Sequence, residues 1–152
     1  MTTRRQVLKY TLAVPMLGAT MRPAFAAPEF YDKDGMAATG FDVVAYFTED
    51  QAVDGSDDFS LQWKGAMWRF SSAENLAAFE ADPWAFAPQY GGYCAFAMAK
   101  GAIWKSVPKA YSIYEGQLYL NQSMPVRALW RRDIPGNIAD ANGFWPAILQ
   151  QS

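Results

Sequence analysis

The stretch "FSLQWKGAMWRFSSAENLAAFEADP", Phe59 to Pro83, decides the fold class. Phe59, Leu61 and Trp63 alternate with Ser60 and Gln62, the period of a half-buried strand. Lys64-Gly65 supplies a turn, and Met67, Trp68 and Phe70 follow it, so this part reads as a β-hairpin. The pattern then changes. Ser71 or Ser72 can cap a helix, Leu76 and Phe79 share one face of it, and Pro83 stops it.

Downstream, "WAFAPQYGG" (Trp84 to Gly92) reads as a tight connection. "YCAFAMAKG" (Tyr93 to Gly101) has two readings. Its alanines and closing Gly101 favour a short helix, while the alternation of Tyr93, Ala95 and Ala97 with Cys94, Phe96 and Met98 would suit a strand. "YSIYEGQLYL" is a second hairpin turning at Glu115-Gly116. From Ser123 to Leu149 one or two helices follow, with Ser123 as cap and Pro125 in the first turn. Leu129, Trp130, Ile138, Trp145 and Ile148 are expected to point inward.

Upstream, Ala27 to Gly40 is an irregular lead-in. "FDVVAYF" (Phe41 to Phe47) is apolar enough to be buried, and Asp42 within it is expected to cap a turn or helix. Glu49 to Asp58 reads as an exposed acidic loop with Gly55 as a turn point. Strand pairs interleaved with helices give an α+β class, one small domain with two β-hairpins and several short helices.

Residues 1–26 stand apart. Arg4, Arg5 and Lys9 precede a mildly apolar run, and Ala24-Phe25-Ala26 fits a small-x-small cleavage rule. The order is that of a signal peptide, and the run is too short to span a bilayer. "TRRQVLK" resembles the twin-arginine export consensus, with Val7 where phenylalanine is usual. A cut after Ala26 leaves nine Lys and Arg against fifteen Asp and Glu, a net charge of −6. The expectation is a periplasmic domain, handed over by the twin-arginine export machinery, with no membrane segment in its mature form. Its acidity makes nucleic acid and anionic lipid poor partners.

The residue inventory excludes much chemistry. There is no histidine, so Ser-His-Asp and Cys-His mechanisms are absent, as are histidine-bearing zinc sites. One cysteine makes neither an intramolecular disulfide nor a Cys-x-x-Cys couple. Asp54, Asp57 and Asp58 lack the spacing of an EF-hand, and Gly91-Gly92 is no phosphate loop. No catalytic constellation is visible, and the chain is expected not to be an enzyme.

Cys94 and Met98 are the candidate site. On a helix they lie one turn apart, and thiolate and thioether are soft donors that suit copper(I). Met36, Met67 or Met124 could complete such a site. Two other readings stay open. Cys94 is a buried core residue of a protein-interaction module, since free cysteine is among the most buried types, or it is a reactive thiol that serves a redox partner. Trp63, Trp68, Trp84, Trp104, Trp130, Trp145 and the eight tyrosines could line a ligand groove, but most belong in the core, and an exposed subset around Tyr90, Tyr93 and Trp104 would mark a partner surface.

"GFDVVAYF", the run Lys64 to Gly101, "GQLYLN" and "ALWRRDIPGNIADANGFWP" together resemble the small exported proteins of the YHS-domain family, in the same order and over nearly all of 27–152. The resemblance implies a YHS-type domain related to metal-linked modules, with a cysteine as proposed ligand and a metal-handling protein as partner. Cys94, in "YGGYC", matches that ligand position. The histidine of the family's name has no counterpart here.

Overall fold

The hairpin and helix of Phe59 to Pro83 build one half of the molecule. The structure is a computed structural model that describes residues 26–152, so the proposed leader up to residue 25 lies outside the described residues. Strands β1 (Asp32–Lys33), β2 (Met36–Ala37), β3 (Ser56–Trp63) and β4 (Ala66–Phe70) form a sheet in the order β1-β2-β4-β3. β3 and β4 are antiparallel across Lys64-Gly65, and β2 lies parallel to β4 with Met36 opposite Met67. The period-2 pattern sends Ala66, Trp68 and Phe70 inward and leaves Met67 outside.

Helix α1 (Ala45–Thr48) precedes this hairpin, and α2 (Ala73–Ala81) follows it. Ser72 caps α2, its Oγ accepting the Asn75 N–H at 3.1 Å. That delivers Phe79 onto Trp68, with ring centroids 4.9 Å apart. Pro83 ends α2 and opens the single turn α3 (Pro83–Phe86).

The second half comprises α4 (Ala95–Ala99), the hairpin of β5 (Val107–Tyr114) and β6 (Gln117–Asn121), and helices α5 (Met124–Trp130) and α6 (Ile134–Phe144). β6 is the seam between the halves. Leu118 and Leu120 join the first core, with Trp68, Phe70 and Phe79, while Tyr119 joins the second, with Tyr90, Met98 and Trp130. Alternation along one strand therefore serves both cores. The fold is α+β, with two hairpins and short helices in one small domain. No helix among the described residues is long and apolar enough to cross a membrane.

Asp42 explains "FDVVAYF". It is fully buried. Its Oδ1 accepts the Val44 and Ala45 N–H groups at 2.9 and 3.2 Å, opening α1. Its Oδ2 accepts the Ser71 N–H at 2.8 Å, the Ser71 hydroxyl at 2.7 Å and the Asn75 amide at 2.7 Å. One carboxylate thus clamps α1 to the β4–α2 corner, and all its acceptor capacity is used.

Three expectations change. The acidic loop is shorter, because β3 begins at Ser56; Asp57 lies in the strand and its Oδ1 accepts Arg69 Nε–H at 2.8 Å. Gly55 is a close-approach glycine, not a turn point: a Cβ there would stand 2.5 Å from the Arg69 carbonyl carbon. Leu129 is 39% exposed, while Trp130 is fully buried. Neighbours on a helix are about 100° apart, so a helix with one covered side cannot centre both on the core.

Candidate functional site: a buried thiol and an aromatic groove

"YCAFAMAKG" takes the helical reading. Cys94 is the N-cap residue of α4, and the Met98 N–H donates to the Cys94 carbonyl at 3.0 Å, one turn on. Cys94 is 1% exposed and Met98 fully buried. The thiol does not cap the helix. Instead Asn121, at the end of β6, sends its Oδ1 to the Phe96 N–H at 3.1 Å. The Cys94 thiol donates to the same oxygen at 3.6 Å and accepts the Gln122 N–H at 3.3 Å. The Asn121 amide nitrogen, in contrast, is buried without a partner among the described residues, as is Trp130 Nε1.

Among the described residues no group of three His, Cys, Asp or Glu side chains could hold an ion. Met36 and Met67 belong to the first sheet, and Met124 opens α5 half-exposed. The Lys100 ammonium lies 5.2 Å over the Phe96 ring.

Tyr90 and Tyr93 are buried rather than displayed; Trp104 and Trp84 are the exposed tryptophans. Tyr93 donates its hydroxyl to the Pro28 carbonyl at 2.8 Å, and Tyr90 donates to Asn142 Oδ1 at 3.0 Å. Burial, then Asp32 and Tyr31, pushes the Tyr93 phenol up to about 12. Burial, then Tyr119, pushes Tyr90 up as well.

These tyrosines support a groove of about 690 Å³. One wall is the strap of residues 27–30, a second the connection from Trp84 to Gly91, and a third the segment Trp145 to Gln150. Phe30, Trp84, Pro88, Tyr90, Trp145 and Leu149 make it largely apolar, and Glu29, Gln89 and Gln150 add polar points. The strap is pinned at both ends: the Ala27 N–H donates to the Leu149 carbonyl at 3.0 Å, and the Tyr31 N–H to the Gly91 carbonyl at 2.8 Å. Gly91 has φ +60°, and a Cβ there would collide with the Glu29 carbonyl oxygen. Gly91 thus lets the strap pass close over the backbone, while Gly92 is packed by Pro88.

The sequence offered the cysteine and a set of aromatics that could line a groove, but not which of them form this one. Its walls come from three segments far apart in the chain, and the one local signal was the glycine pair. No family model matches this chain, and neither a curated protein nor a solved structure does.

Proposed function

We propose that this chain is a non-catalytic binding module whose ligand site is the aromatic groove, with Cys94 a packed core residue. The groove itself carries the reading. Its volume lies within the range typical of small-ligand sites, and it combines aromatic walls with a few polar groups. The thiol, in contrast, is sealed and has protein partners on Sγ.

The test is ligand-observed NMR with indole and 2-phenylethanol. Ala147 lines the groove and is exposed, so Ala147→Trp plugs it without touching the core. Saturation transfer to wild type that disappears in the plugged protein is expected. Equal transfer to both proteins, or none to either, overturns the reading.

The helical turn that joins Cys94 to Met98 keeps a second proposal alive, the YHS-type handling of copper(I) with a metal-handling partner. Cu(I) titration against a competing chelator separates the two. Uptake that is stoichiometric in wild type and lost in Cys94→Ala favours copper, and equal weak uptake removes it. In either reading the domain of residues 27–152 is exported to the periplasm through the twin-arginine pathway.

A further inference from the structure

Resting on the groove reading, we infer that the ligand is an organic monocation with an apolar body, an arylalkylammonium. Among the described residues that line the groove, Glu29 is the only Asp, Glu, Lys or Arg. Among the described residues no lysine or arginine lines it, and the Ala27 nitrogen, which cleavage after Ala26 would leave as an α-ammonium, is already engaged by the Leu149 carbonyl at 3.0 Å. Trp84, 55% exposed, stands beside Glu29.

That corner already holds an ammonium. Lys64 Nζ lies 5.2 Å over the Trp84 ring and 3.7 Å from Glu29 Oε2. An indole face and a carboxylate together are a cation site, because ring quadrupole and anion attract the same charge. Lys64 comes from the β3–β4 turn, and its side chain is 41% exposed. An exposed ion pair of this kind is weak. A ligand ammonium can therefore replace the lysine tip at the corner, while its ring lies against Trp145 and Phe30. In this role Lys64 is a tethered competitor, one that leaves the corner when the ligand arrives.

Two opposite effects follow from two substitutions at the surface. Titrations of the full domain would compare 2-phenylethylamine, 2-phenylethanol and phenylacetate at pH 7. The amine is expected to bind about fivefold to tenfold tighter than the alcohol. Glu29→Gln should remove most of that preference, and Lys64→Ala should strengthen amine binding severalfold. Equal binding of amine and alcohol overturns the cation inference and leaves the groove reading standing. Preference for phenylacetate, lost in Lys64→Ala, overturns it too by making the lysine the ligand's partner. Binding of none of the three removes both readings. A cation preference that survives Glu29→Gln unchanged also overturns the assignment to this corner.

Discussion

Asp42 and Cys94 are both exposed to 1% or less, yet they organise their halves differently. Asp42 accepts five hydrogen bonds from α1, the end of β4 and α2. Around Cys94 the partners are fewer, and two buried donors in the same half, Asn121 Nδ2 and Trp130 Nε1, have no acceptor among the described residues. A buried polar group stabilises a fold only when its partners are complete. The first half is thus tied by a saturated carboxylate. The second relies on the packing of Met98, Tyr119 and Trp130 and on the strap that crosses Gly91.

The largest effect belongs to the carboxylate. Asp42→Ala orphans buried donors on three elements and should cost about 3–5 kcal/mol in a urea titration. A loss under about 1 kcal/mol would break the contrast, because it would make the clamp dispensable.

Gly91→Ala tests the other half. The added methyl must displace the Glu29 backbone or move Gly91 from its positive φ. The expected cost is about 2–3 kcal/mol, with the groove distorted as well. Unchanged stability together with unchanged groove binding would show that the strap does not run where it is placed.

Cys94→Ala should be milder, about 1–2 kcal/mol, since it removes one sulfur and its weak bonds. In the native protein a thiol reagent should label Cys94 far more slowly than in denaturant. Fast native labelling would remove the packed-core reading and revive the redox one.

The smallest effect near neutrality is the alkaline one. Tyr93 titrates at about 12 when folded, against about 10 in an unfolded chain. The unfolded state then loses its proton first, so this contribution is full below about pH 10 and is lost as pH rises towards 12. Tyr90 is shifted in the same direction. Urea midpoints should fall over that window, and Tyr93→Phe should fall less steeply. A flat profile would mean that these phenols are not buried.

Local chemistry made much of the fold readable. Lys64-Gly65 and Glu115-Gly116 announced both hairpins, Ser72 and Ser123 announced two helix starts, and Asp42 was readable as a cap. Each signal acts within a few residues of its effect. The reach of Asp42 to Ser71 and Asn75 was not readable, because those partners lie about thirty positions on. Gly55 misled for the same reason: its constraint is Arg69, a strand neighbour and not a sequence neighbour.

The candidate site divides in the same way. The sequence by itself determined the sulfur inventory, the absence of histidine, and the four-residue spacing from Cys94 to Met98. Those follow from composition and order; that the segment is a helix, with Met98 one turn after Cys94, was decided by the fold. Only the tertiary structure decided that Asn121 meets the thiol, that Tyr90 and Tyr93 turn inward, and that Glu29, Trp84 and Trp145 share a groove. Those contacts join residues far apart in the chain, and periodicity carries no information about which distant faces will meet.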